Sequence, residues 1–194
     1  MIKKAITKYA VDELIKNRWS PRSFADKEIP DEILLSLFEA ASWAASSRNE
    51  QPWRFISGIK NRGENFQKIF NSLVEGNQRW AKSAPVLNIG VAKTYLDRDN
   101  QPNRHALYDL GQSMAMLSVQ AISMNLYLHQ MGGFVRETVK KEFNLPDGME
   151  PVVAFAIGYL GKAANLPDDL REMEEKPRVR HGLSKIFLFS DFDL

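Results

Sequence analysis

Ser46, Ser47, Arg48, Asn49 and Gln51 crowd two hydroxyls, a guanidinium and two amides between a helical pattern and an apolar run. Such a polar turn, with its free backbone N–H groups, suits a ligand rich in acceptors: a phosphate, a ribityl chain or a heterocycle edge. Pro52 biases Gln51 toward an extended backbone and stops the preceding helix before it. In Arg18-Trp19-Ser20-Pro21-Arg22-Ser23-Phe24, two arginines flank a hydroxyl, an arrangement for gripping one phosphate and a second electron-rich edge. Arg178 and Arg180, if extended, point to one face and can address one dianion. Gln130-Met131-Gly132-Gly133-Phe134 carries paired glycines, which allow positive φ or close approach of backbone to a flat ligand. A plain polar loop, solvated arginines and a helix C-cap explain the same residues, so both readings stand at this level.

Side chains able to carry a reaction by themselves are harder to find. His105, His129 and His181 lie far apart, in no metal-binding spacing, and no P-loop, G-x-G-x-x-G or G-x-S-x-G motif occurs. Ser46 and Ser47 have no adjacent base signature. The absence of cysteine excludes thiol nucleophiles, thiolate metal sites and disulfides. An enzyme with this inventory needs a cofactor for its chemistry. Three arginine-bearing clusters, a hydroxyl/amide turn and a glycine turn fit a flat cofactor with a phosphate.

The elements that must position these residues follow from hydrophobic period. Ala5, Tyr9, Leu14 and Ile15 predict a first amphipathic helix over 5–17, and Leu34, Leu37, Phe38 and Ala41 mark the buried stripe of a second from Asp31 to Ala44. Strands are expected at Trp53 to Ile59 and Pro85 to Ala92, with one loosely patterned helix over 61–80 between them. Residues 97 to 104 read as a loop. His105 to Leu128 is the longest helical pattern, with Leu107, Leu110, Met114, Leu117, Ala121, Met124 and Leu128 on one stripe. Ala106, Met116, Val119, Ile122 and Leu126 place apolar groups on its other faces, so an oligomer interface is expected to cover it. A short helix over 135–143 and a buried central strand from Pro151 to Leu160 come next. Residues 161–175 read as polar and mobile.

Composition bounds the class. With 194 residues, 44% apolar content, 26% charged content and a net charge of +2, the chain reads as one globular domain, 1–194. No concentrated basic run points to nucleic acid, and no apolar stretch is long enough to span a bilayer. The N-terminus lacks a signal-peptide pattern, which leads to a cytoplasmic expectation.

Arg18 to Phe24 resembles the R-x-S-x-R-x-F opening of the FMN-dependent nitroreductase family, and Ala45 to Phe55 resembles its P-S-S-x-N-x-Q-P-W-x-F turn. Met131-Gly132-Gly133-Phe134, Gly158-Tyr159 and Arg178-Val179-Arg180 resemble later landmarks of that family, in order, so the resemblance covers nearly the whole chain. It implies an α+β fold, an α/β sandwich with a mostly antiparallel central sheet flanked by helices. It also implies an intertwined homodimer with FMN sites at the interface. By position, Arg18 and Ser20 would contact phosphate or ribityl, with Arg178 and Arg180 completing the phosphate grip, and Trp19 between them would belong to the same cofactor-binding set. Arg22 would face the flavin pyrimidine. Ala45, Ser46, Ser47, Asn49 and Gln51 form the turn whose Ser46, Ser47 and Asn49 would come from the partner subunit. Gln130, Met131, Gly132 and Gly133 would line the ring near N5. Ala45 departs from the usual proline. The implied activity is hydride transfer from NADH or NADPH through FMN to a nitroaromatic, quinone or related small-molecule acceptor. Other outcomes of the same fold, such as dehalogenation, dehydrogenation or flavin breakdown, share these residues, and a non-catalytic flavin-binding module remains a further alternative.

Overall fold

The computed structural model describes residues 3–187. Four strands, β1 (Trp53–Ile59), β2 (Val86–Lys93), β3 (Leu126–Met131) and β4 (Met149–Tyr159), form one sheet in the order β1-β2-β4-β3, every neighbouring pair antiparallel. β2 and β4 are the inner strands, which explains why their sequences are apolar on both faces: each face of the sheet carries its own core.

Alternation along the strands decides which core each residue joins. Leu87, Ile89, Val91, Ala154 and Ala156 face one side, where Trp19, Ile69, Trp80 and Val139 pack. Val86, Phe155, Ile157, Leu126 and Leu128 face the other, against Leu34, Leu37 and Ala41 of α2 (Asp31–Ser42) and Leu110, Met114 and Leu117 of α5 (Ala106–Ser123). The stripe expected for α2 is buried as read: Leu37 and Ala41 are fully enclosed and Leu34 is nearly so. The first face is covered by α3 (Asn65–Ser72), α4 (Glu75–Ala81) and α6 (Arg136–Glu142).

Four expectations need correction. The helix expected over 5–17 shrinks to α1 (Glu13–Asn17), begun where the Asp12 side chain accepts the Leu14 N–H. Ile6, Tyr9 and Ile15 are exposed, so the earlier residues have no buried stripe to offset the cost of a helical turn. The single helix expected over 61–80 is two: Leu73 and Val74 are extended, and the Val74 N–H donates to the Gly133 carbonyl, so pairing with a segment distant in sequence breaks the helix there. The helix expected to reach Leu128 ends at Ser123, where Asn125 takes a left-handed φ of 58°. Leu126 to Met131 then becomes β3, because its apolar residues are used against β4. Residues 161–175, read as mobile, contain α7 (Asp168–Glu175), whose Leu170 and Glu174 are buried. Among the described residues no helix is long and apolar enough to cross a membrane.

Candidate functional site

The stretch from Arg18 to Phe24 is extended and pinned from three directions. Gly161 N–H donates to the Ser23 carbonyl, Ala25 N–H donates to the Tyr159 carbonyl, and Phe24 bridges Leu160, so the stretch runs alongside the end of β4. The Ser23 hydroxyl donates to the Lys162 carbonyl at 2.7 Å. A Cβ at Gly161 would stand 2.5 Å from the Ser23 hydroxyl oxygen and 2.7 Å from the Phe24 carbonyl carbon, so this close approach requires glycine. From the third side, Glu174 of α7, only 4% exposed, accepts the backbone N–H of Arg22 at 2.9 and 3.1 Å and that of Ser23 at 3.2 Å.

These constraints open a cleft of about 250 Å³ whose lining includes Lys3, Arg18, Ser20, Arg22, Arg178 and Arg180. Two distant parts of the sequence, the residues around Ser20 and those around Val179, meet here as the arginine motifs require. Burial, and then the charge of Arg180, hold the Arg18 guanidinium below the ordinary arginine value. Arg178 is lowered in the same direction by burial and by its neighbours Arg18 and Arg180. Like charges held together in this way favour an anion between them. The Glu174 carboxylate also lines the cleft and pairs with Arg22 at 3.9 Å, but its oxygens are held by two backbone N–H groups and the cations of the lining outnumber it. Arg178 is partly committed: its Nη1 donates to the carbonyls of Lys3 at 2.9 Å and Lys16 at 2.8 Å, tying the N-terminal segment to the site. Trp19 lines the cleft but is itself a core residue, set edge-on to Tyr127 with ring centroids 6.1 Å apart.

Behind the cleft, His129 is packed on Trp80 at a centroid distance of 4.4 Å, and its Nδ1 donates to the Pro21 carbonyl at 2.8 Å, which fixes the neutral tautomer. Burial, opposed by that carbonyl and aided by the Arg22 charge, lowers its pKa from 6.5 to about 4. Between those values the unfolded chain takes up a proton that the folded chain refuses, so stability falls as pH drops below about 6.5 and is unaffected above it. The expected loss by pH 4 is on the order of 3 kcal/mol. Urea midpoints at pH 7 and pH 4.5 measure it, and a His129→Gln variant should show a flatter pH slope; an equal slope in both proteins would assign the acid sensitivity elsewhere.

The hydroxyl/amide turn lies apart from the arginine cleft within one chain. Ser47 and Asn49 form a short 3₁₀ turn in which Arg48, Asn49 and Gln51 have φ of 55°, 58° and 46°. Gln51 is therefore left-handed, not extended as its place before Pro52 suggests, because its N–H donates to the Ser46 hydroxyl and its carbonyl accepts from Arg54. The Ser47 N–H donates to the buried Asp109 carboxylate at 3.1 Å, which anchors the turn to α5. Left-handed non-glycine residues are a form of stored strain that clusters at ligand sites. Ala45 is exposed beside them.

Gln130 and Met131 end β3, with Gln130 exposed and the Met131 side chain in the core, so Met131 can offer a ligand only its backbone. Neither Gly132 nor Gly133 uses positive φ. A Cβ at Gly132 would meet nothing within 4 Å, whereas one at Gly133 would strike Val74 and Asn77, whose amide donates to the Gly133 carbonyl. Gly132 thus leaves open space beside the end of β3. The sequence reading missed Lys3 and Glu174. Spacing of Leu166, Leu170 and Glu174 by four marks the α7 face, but nothing in it shows that a glutamate on that face turns inward.

An antiparallel sheet between two helical layers, with a guanidinium-lined cleft beside the end of β4, defines an α+β sandwich. The chain belongs to the Nitroreductase family, whose sequence model matches residues 15–62 and 57–159. A protein of Xanthomonas oryzae pv. oryzae (strain PXO99A), inferred to be an NADH dehydrogenase/NAD(P)H nitroreductase, is 31% identical over 176 residues, covering 81% of this chain and 89% of that one. The solved structure of an oxidoreductase containing FMN superposes with a TM-score of 0.91 at 34% identity, over 96% of this chain and 95% of the other. A nitroreductase family protein of Clostridium difficile 630 shares the fold, with a TM-score of 0.71 at 22% identity over 92% of this chain and 97% of that one.

Proposed function

We propose that this chain is an FMN-dependent NAD(P)H oxidoreductase that works as a homodimer and passes hydride to a nitroaromatic, quinone or related acceptor. The observation that carries the reading is the cleft of Arg18, Arg178 and Arg180, in which cations outnumber the lining carboxylate of Glu174. Its residues fit FMN: the guanidiniums and the Ser20 hydroxyl suit the phosphate and ribityl, Arg22 the pyrimidine edge, and the open backbone at Gly132 a flat ring. The 34% identical FMN oxidoreductase and the NAD(P)H nitroreductase-like relative support the same assignment. FMN, when bound, supplies hydride acceptance and donation at N5.

The protein's part is binding and orientation. Arg22 holds positive charge where electron density grows on reduction, and His129 behind it, with its pKa lowered to about 4, is neutral near pH 7 and adds no competing charge. Ser46, Ser47 and Asn49 lie outside the arginine cleft of their own chain and are assigned to the partner's site. Leu107, Tyr108 and Met116 on α5, with Leu35 on α2 and Trp43 just past its end, are exposed and supply the apolar surface such a dimer needs.

The purified protein should be yellow, with flavin absorption bands. Steady-state oxidation of NAD(P)H with varied acceptor should give parallel double-reciprocal lines, because donor and acceptor take the same face in turn. A colourless protein that takes up no FMN overturns the cofactor, and intersecting lines overturn the shared face.

A further inference from the structure

A second cationic cleft, of about 210 Å³, lies away from the arginine cleft, lined by Ser47, Arg48, Arg98, Asn103, Arg104 and His105. Three guanidiniums converge on it. Arg98 pairs with Asp99 at 3.1 Å, but Arg48 and Arg104 make no hydrogen bond or ion pair with any described residue. The nearby Asp109 carboxylate is occupied by the Ser47 N–H.

Asn103 is the informative residue. It is only 7% exposed, and its Nδ2 is buried without an acceptor. The amide cannot be turned round to relieve this, because its Oδ1 already accepts the His105 N–H at 3.0 Å. Its backbone is equally committed, N–H to the Thr94 carbonyl and carbonyl to the Ala106 N–H. A buried donor without a partner costs roughly 1–3 kcal/mol unless a ligand or water supplies the acceptor. The residues from Asn103 to His105 also lead directly into α5, an 18-residue helix whose N-terminal end favours negative charge. Buried donor, paired guanidinium forks and helix end all ask for the same group.

We propose that this cleft is a second oxyanion site that takes a phosphate monoester, with Asn103 Nδ2 and Arg104 as direct donors and Arg48 and Arg98 at its rim. A phosphate dianion matches several guanidiniums better than a carboxylate does, since it offers three terminal oxygens for forked donors. The cleft shares Ser47 with the turn assigned above to a flavin site, so the phosphorylated nucleotide that donates hydride there is the ligand to test first. The 2′-phosphate of NADPH is therefore the natural source of the ester. That last assignment rests on the redox reading above; the oxyanion site itself does not.

Isothermal titration of the FMN-loaded full chain with 2′,5′-ADP, 5′-AMP and inorganic phosphate tests both. Arg104→Ala and Asn103→Asp, the second keeping the oxygen that caps His105 while removing the donor, should each weaken 2′,5′-ADP binding by roughly tenfold or more. Tighter binding of 2′,5′-ADP than of 5′-AMP assigns the ester to the donor's 2′-phosphate. Inorganic phosphate binding as well as either nucleotide assigns the site to phosphate esters of another origin. The titrations are repeated with Arg18→Ala/Arg180→Ala, in which the first cleft is disabled, so the second is read whether or not FMN binds. Arg104 is exposed and unpaired, so its variant folds normally and decides the matter alone if Asn103→Asp is unstable. No binding at millimolar concentration, or binding that Arg104→Ala leaves unchanged, overturns the proposal.

Discussion

Replacing Arg18 and Arg180 together with alanine is expected to weaken FMN binding by roughly 10²- to 10⁴-fold, from the loss of two charge-assisted hydrogen bonds worth about 1.5–3 kcal/mol each. The two are close enough to couple, so the double variant need not equal the product of the singles. A second signature separates this from simple unfolding. Arg18 is already lowered by burial and by Arg180, which means the ligand-free protein carries the repulsion as a cost. Removing both charges should leave the flavin-free protein at least as stable as wild type while its affinity collapses, the trade expected of a functional site. Arg178 is left in place because its bonds to the Lys3 and Lys16 carbonyls also hold the fold together. Flavin fluorescence quenching and flavin-free denaturation midpoints are the two measurements. Unchanged affinity removes the cleft from the cofactor site; lost stability with lost affinity turns the arginines into structural residues.

How much of this was legible in the sequence depends on what kind of force fixes each part. The inner strands and the α2 stripe were readable because burial on a sheet or helix imposes a period that survives without any tertiary knowledge. The meeting of Arg18 with Arg180 was readable only through motif resemblance, since nothing local brings residues at opposite ends of a chain together. Boundaries failed where a long-range partner overrode local pattern. Leu126 and Leu128 continue the α5 period, yet pairing with β4 claims them for β3. Val74 continues a helical run, yet the Gly133 carbonyl takes its N–H. The left-handed Gln51 was hidden because its conformation is held by the Ser46 hydroxyl and Arg54, and not by Pro52 alone. α7 was hidden for another reason: its composition is that of a solvated segment, and its two buried residues are a leucine and a glutamate.

That glutamate carries the other large effect. Glu174→Ala is expected to cost roughly 2–5 kcal/mol of stability, because it leaves the Arg22 and Ser23 N–H groups inside the protein without an acceptor. The Arg22 guanidinium, a quarter exposed, can turn to water, so the penalty comes chiefly from the backbone donors and not from the broken ion pair. Glu174→Gln should be milder but not silent. Its carbonyl can accept one N–H, while its amino group turns a donor toward the remaining one. The functional consequence follows from geometry: Ser20 and Arg22 sit on the segment those bonds hold, and once released they no longer face the cleft together. FMN affinity should therefore fall in both variants, and in Glu174→Gln it should fall by more than the change in denaturation midpoint explains. Arg22→Ala keeps the backbone bonds and so should lose flavin affinity with little loss of stability, the opposite balance. If Glu174→Ala keeps wild-type stability and flavin retention, the buried carboxylate does not position the cleft, and the clamp described here has no role in it.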